Sequence, residues 1–272
     1  MRGIHQKTNL ALMPDIRSVH VTRYVLPLRE GGSLPAIAEA DDQFLYVLKF
    51  RGSGQGPKTL VAELIGGEIA RLLGLRVPEI VFALLDSSFG RTEPDEEIQD
   101  LLKASVGLNL GLHYLSGAIS FDPMVTRVDP ELASDILWLD CFLTNVDRTS
   151  NNTNMLVWNK ELWLIDFGAS LYFHYAPENW EVKAVSNFPQ VKSHVLLPYA
   201  SELEKSDRKM RAALSPEKLR RIINLLPDEW LDENDQETAA SKREIYYRFL
   251  EMRLNASETF IKEAIHARAA SV

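Results

Sequence analysis

A chain of 272 residues, 46% hydrophobic and 25% charged, is long enough for one large domain or for two lobes around a cleft. Its formal net charge of -8 argues against an intrinsic nucleic-acid-binding face, because phosphate backbones are held by Lys and Arg. The single cysteine, Cys141, excludes an intrachain disulfide; no run is long and apolar enough for a membrane span, and the opening MRGIHQKTNLALMP has no signal-peptide core, so the expectation is a soluble protein of a reducing cytosol.

Residues 1–17 show no period and read as a loose arm. The alternating, β-branched stretch 19–26 predicts a strand, followed by Glu30-Gly31-Gly32-Ser33 and a second hairpin strand over 44–50. Glycines in such a turn let backbone N–H groups approach phosphates, which makes Gly31, Gly32 and Ser33 candidate nucleotide contacts. Lys49 lies in the apolar run YVLKF, where a lysine either meets a phosphate or snorkels to solvent. Residues 59–73 follow a helical period with Gly74 as the stop. Two glutamates on this helix compete to face inward, and the apolar stripe by itself selects Glu68 over Glu63. Lys58 is a second candidate phosphate contact.

A third strand is predicted over 79–85, then a polar connection or helix start over 91–100. A strongly apolar helix spans 130–143 and carries Asp135 and Asp140, read as surface or loop-orienting groups. Cys141, in its apolar run, reads as a buried structural thiol. The remainder is mostly helical. Ser215-Pro216-Glu217 is a helix start with Ser capping and Pro in the first turn, and 241–267 reads as one long charged helix. His174, amid YFHYAP, reads as a packed histidine rather than a catalytic one.

The densest chemistry sits in LTNVDRTSNNTNMLVWNKELWLIDFGAS. Strands 155–158 and 161–165, turning at Asn159-Lys160, would hold two loops at one end of a small sheet. Asp147, Asn152 and Asp166 would then converge, and convergent carboxylate and amide oxygens suit Mg2+.

The spacing D-R-x-x-x-N followed by D-F-G resembles the catalytic and metal-binding loops of the kinase superfamily, and within it the lipid-kinase-like HipA branch. Ordinary protein kinases have H-R-D-L-x-x-x-N, an order absent here, and the HipA branch has His where this chain has Thr149. The resemblance implies a two-lobed α+β protein-kinase-like fold, with an arm over 1–18, a β-rich first lobe over 19–115 and a mostly helical second lobe over 116–272. It implies Asp147 as catalytic base, Asn152 and Asp166 as metal ligands, and Lys49 as the phosphate-pairing lysine. AELIGGEIARLLGLRVPEI resembles the HipA pattern that selects Glu63 as the partner of that lysine. The hinge and adenine pocket would fall within 105–120. ATP and Mg2+ are the implied cofactors, and a protein serine or threonine the implied acceptor. A small-molecule or lipid kinase and a nucleotide-binding pseudokinase are the rivals, since chemistry belongs to the site rather than the fold.

Overall fold

The computed structural model describes residues 15–28, 34–89, 94–231 and 237–271. Gly31, Gly32 and Ser33 lie outside the described residues, as does most of the expected N-terminal arm. Where that stretch becomes described it is anchored: Arg17 donates to Glu79 at 2.7 Å and to Asp42 at 2.6 Å.

Five strands close into a small barrel: β1 (Ser18–Pro27), β2 (Ala36–Ala40), β3 (Leu45–Lys49), β4 (Ile80–Leu85) and β5 (Gly107–His113), in the order β1-β2-β3-β5-β4. The neighbour of β1 is therefore β2, and 45–49 is the third strand of the meander rather than the second of a hairpin. β1 closes the barrel through a short parallel pairing with β4, Ser18 opposite Phe82 and His20 opposite Leu84. Alternation along the strands sends Val19, Val21, Ala36, Ala38, Ala40, Tyr46, Leu48, Val81 and Ala83 into one interior cluster. The alanines of β2 keep that narrow interior from overfilling.

Helix α1 (Pro57–Leu72) starts with proline in its first turn and is buried on all sides from Thr59 to Ala70. After α2 (Glu96–Ala104) and β5, a second sheet forms from β6 (Ile119–Ser120), β7 (Met155–Trp158) and β8 (Glu161–Leu164). The β7–β8 turn falls at Asn159 and Lys160, both with positive φ, as the sequence suggests. Between β6 and β7 lies α3 (Pro130–Leu143). Asp129 caps it by accepting from Glu131 and Leu132, and it is buried from Ala133 onward. It ends at Thr144 in the left-handed conformation, which turns the chain into the loop that bears Asp147.

Beyond the D-F-G, the chain is helical: α4 (Trp180–Val185), α5 (Leu203–Ala213), α6 (Pro216–Ile223), α7 (Asp228–Leu231), α8 (Ala239–Asn255) and α9 (Ser257–Ser271). The expected single helix over 241–267 is thus two helices. The buried Arg253, in the last turn of α8, caps α3 and α4 through the carbonyls of Cys141 and Ala184, and past the break α9 sets Phe260 against Trp138 at 5.8 Å. The short α7 reaches back to the barrel: Trp230 donates to the carbonyl of Leu108 at 2.9 Å, and Arg51 meets Glu229 at 2.6 Å.

Candidate active site

A cleft of about 840 Å³ opens between the barrel and the β6–β8 sheet. Val47, Leu112, Leu115, Leu156 and Ile165 make apolar walls, and Lys49, Asp147, Asn152 and Asp166 lie at its polar end. The stretch 112–115 lines the cleft, inside the 105–120 window that the sequence marks for a hinge. A pocket with apolar walls and a few convergent polar groups is the usual form of a small-ligand site.

Lys49 is the centre of the polar end. Its Nζ lies 2.6 Å from Asp166 Oδ1 and 3.2 Å from Glu63 Oε2. Burial would discharge this lysine, but the carboxylates of Glu63 and Asp166 overcome that and hold its ammonium more strongly protonated than usual. Burial also works against ionisation of Asp166; Lys49 outweighs it and keeps Asp166 below the ordinary carboxylate range. Glu63 is wholly buried, and that burial pushes its carboxyl up. Its Oε2 also accepts the N–H of Phe167 at 2.9 Å, so one oxygen ties the strand lysine to the D-F-G turn. Glu68, the rival glutamate, is taken up by Arg71 one turn along the same helix.

Asp166 adopts φ 57, a left-handed conformation that costs a non-glycine residue energy and is held by its surroundings. Phe167 beside it is fully buried against Gly66 of α1. A Cβ on Gly66 would stand 2.7 Å from Phe167 Cβ and Cγ, with ring and helix backbone both unable to give way easily. Gly66→Ala is therefore expected to displace Phe167 and loosen its bond to Glu63, at the overpacking cost of about 1–3 kcal/mol. Thermal unfolding checks this; an unchanged midpoint would mean that the contact is slack.

The loop after α3 is organised around Asp147. Asn152 donates to its Oδ2 at 2.7 Å and Asn154 at 3.2 Å, while its own backbone N–H donates to Asn145 Oδ1 at 3.2 Å. Burial pushes the Asp147 carboxyl up, against the pull of those two amides. Beneath the loop, Asp140 of α3 receives Arg148 Nε at 2.6 Å, His194 Nε2 at 2.9 Å and Asn145 Nδ2 at 2.8 Å. His194 Nδ1 accepts the N–H of Leu196 at 3.1 Å, which fixes Nε2 as the protonated nitrogen. Arg148 also donates to the carbonyl of Asn154 and stacks on Phe167 at 5.3 Å, so the two loops share one buried cation. Asp140 thus orients the loop. Asn145, Asn154 and His194 are participants the sequence does not single out: the asparagines belong to a polar run with many equivalent amides, and His194 carries no motif.

Of the remaining candidates, Lys58 Nζ sits 5.8 Å over the Tyr175 ring rather than among the cleft-lining groups. His174 is buried, bonds Tyr246 at 3.0 Å, and has its pKa lowered to about 3 by burial and by Lys58. Cys141 is buried, and burial pushes its thiol up. Among the described residues no helix is long and apolar enough to cross a membrane.

A family model described as HipA-like kinase matches residues 21–263. The proinflammatory kinase CtkA of Helicobacter pylori is similar in structure, with a TM-score of 0.50 at 15% sequence identity, over 94% of this chain and 99% of that one. A Golgi casein kinase solved with Mn/ADP aligns with a TM-score of 0.48 at 13% identity, over 94% of this chain and 74% of the other. A comparison with curated protein sequences gives no match.

Proposed function

The chain belongs to the HipA-like kinase family, and from that premise we propose that it transfers the γ-phosphate of ATP, with Mg2+, to a serine or threonine hydroxyl of a protein. The observation that carries the reading is the juxtaposition of Lys49, held between Glu63 and Asp166, with Asp147 and Asn152 in one cleft.

The donor chemistry fits the metal. Among the described residues no three His, Cys, Asp or Glu side chains form a self-contained metal cage. The Asp166 carboxylate and the Asn152 amide oxygen offer hard ligands of the kind Mg2+ takes alongside water and substrate phosphate. Asn152 uses its nitrogen on Asp147, which leaves its oxygen for the cation. Bound there, the metal would neutralise charge on the phosphates.

The chain's own residues divide the other tasks. Lys49 supplies positive charge for the phosphates, and Glu63 of α1 fixes its position. The two amides on Asp147 both occupy Oδ2, so Oδ1 is left to accept the proton of the acceptor hydroxyl. The apolar end of the cleft suits a purine ring. Ser53 and Thr59 line the same cleft, which makes self-phosphorylation the first activity to look for.

Incubation of the pure protein with labelled ATP and Mg2+, followed by mass spectrometry of protein and small-molecule products, tests the reading. Label on protein supports it; label confined to a metabolite or an inositol lipid, or no label at all, overturns it in favour of the corresponding rival. The metal assignment has its own test. Asp166→Asn and Asn152→Ala are each expected to weaken Mg2+-dependent ATP binding by at least about tenfold in calorimetry, a loss of about 1.4 kcal/mol. Parent-like binding by both variants would put the metal elsewhere.

A further inference from the structure

The loop from β3 leads into α1, a sixteen-residue helix whose N-terminus is left uncovered. Helices usually begin on a serine, threonine, aspartate or asparagine, whose side-chain oxygen takes one of the free N–H groups of the first turn. Here the first position is Gly56, at φ 66, with no side chain to do so, and the first turn holds no acidic residue. Pro57 has no N–H, so the groups left without an acceptor inside the helix are those of Lys58 and Thr59. The Thr59 hydroxyl does not serve them, since it donates to the carbonyl of Gly56 at 2.7 Å. This positive helix end opens on the nucleotide cleft, which Ser53, Gln55 and Thr59 line, and it lies against the D-F-G turn. A Cβ on Gly168 would stand 3.2 Å from Thr59 Cγ2 and 3.4 Å from Asp166 Oδ1.

Ser53 adds an independent sign of a ligand. It is 9% exposed, and its backbone is tied down within the loop: its N–H donates to Phe50 at 3.3 Å and its carbonyl accepts from Gly56 at 2.8 Å. Its hydroxyl has no hydrogen-bond partner among the described residues, and unlike the sealed hydroxyls of Ser170 and Ser257 it keeps surface on the cleft. Buried polar groups are normally partnered, so a fixed hydroxyl open only to the cleft marks a ligand contact. Charge says which ligand. Lys49 is answered by the carboxylates of Glu63 and Asp166, and Asp147 adds another acid, so the polar end has no surplus positive charge of its own for a polyphosphate. Lys58, over the Tyr175 ring at 5.8 Å, has no carboxylate partner among the described residues, which leaves the first turn of α1 positive by side chain as well as by dipole. We propose that this turn, together with the Ser53 hydroxyl, holds the polyphosphate tail of the nucleotide, as a second cradle beside Lys49. The proposal rests on the reading of the cleft as a nucleotide site, and it gives phosphate contacts to the loop that follows the lysine strand.

The test uses the full chain, Mg2+, and two probes: the β,γ-imido analogue of ATP, which cannot pass on its phosphate, and adenosine, which has none. Ser53→Ala removes a hydroxyl that bonds no described protein group, so the fold is expected to stand, and an unchanged thermal midpoint verifies it. Calorimetry is expected to show the analogue bound about tenfold more weakly by the variant, the worth of a hydrogen bond to a charged group, with adenosine altered by no more than about twofold. In the parent, the amide NMR signals of Lys58 and Thr59 are expected to shift with the analogue and to stay in place with adenosine, a readout that does not depend on the variant. A variant that binds the analogue like the parent, one that loses adenosine equally, or parent amides that the analogue does not move would each overturn the cradle while leaving the nucleotide reading in place. A parent that does not bind the analogue overturns both.

Discussion

Asp147→Asn is expected to lower phosphoryl transfer by about 10²–10⁴ while leaving affinity for ATP nearly unchanged, because a positioned base acts in the transition state and adds little to ground-state binding. The substitution keeps the size of the side chain. It changes what Oδ1 and Oδ2 can do: two amides from Asn152 and Asn154 converge on the present carboxylate at 2.7 Å and 3.2 Å, and an asparagine can satisfy them through its one oxygen only. The remaining position then becomes an N–H donor facing the acceptor hydroxyl, the reverse of what proton abstraction requires. Single-turnover kinetics with labelled ATP separates the chemical step from binding. A variant with parent-like turnover would remove Asp147 from the role of base, and one that loses ATP binding in equal measure would make it a scaffold residue.

The loops that carry this chemistry were legible because their residues are near in sequence and bound to one hairpin. Met155–Trp158 and Glu161–Leu164 pair where the alternation and the Asn159-Lys160 turn place them, and this brings Asp147, Asn152 and Asp166 into one cleft. The α+β division, strands first and helices after, was legible from the change of period along the chain. Three strands were not, and one of them, Ile119–Ser120, is only two residues long and too short to leave a pattern. Ala36–Ala40 is mostly alanine, a residue depleted in strands, and pairs because a narrow barrel needs small interior side chains. Gly107–His113 does alternate, with Leu108, Leu110 and Leu112, but its glycines weaken the signal and the stretch reads first as a hinge.

The choice between Glu63 and Glu68 shows where periodicity loses its meaning. A hydrophobic stripe points to the core only when the opposite face meets water, and α1 is buried on every side from Thr59 to Ala70. Both glutamates are fully buried, so the stripe that selects Glu68 says nothing about which one meets Lys49. Their partners decide: Arg71 is one turn from Glu68, while Lys49 comes from a strand fourteen residues before Glu63. Only the resemblance to the HipA pattern separated the two from sequence.

The second large effect is expected at Asp140, which no motif marks as more than a polar residue on an apolar helix. Among the described residues its carboxylate is the sole acidic partner of the buried Arg148, and both side chains are fully sequestered. Burial alone would push the Asp140 carboxyl up, but Arg148 and His194 outweigh it and hold it below the ordinary carboxylate range. Asp140→Asn keeps the volume and removes the charge, so no cavity is created and the cost is that of leaving Arg148 buried without a counter-ion, about 3–5 kcal/mol. Because Arg148 also donates to the carbonyl of Asn154 and stacks on Phe167, the same change should loosen the loop bearing Asp147 and the D-F-G turn together. Asp140→Asn combined with Arg148→Met removes the orphaned cation while leaving an amide oxygen at 140 as an acceptor for His194 and Asn145, and should recover much of the lost stability without restoring turnover, since the bond to the Asn154 carbonyl is still missing. The pH dependence has a definite sign. A carboxyl depressed in the folded protein contributes stability that is fully present above its unfolded pKa of about 4 and is lost as the pH falls through the folded value. The parent should therefore lose stability more steeply than Asp140→Asn on acidification below about pH 4. Urea unfolding of the parent, the single and the double variant across that range measures both effects. A single variant as stable as the parent would show that Arg148 is satisfied by backbone carbonyls alone, and a double variant no better than the single would show that the loss lies in packing rather than in an orphaned charge.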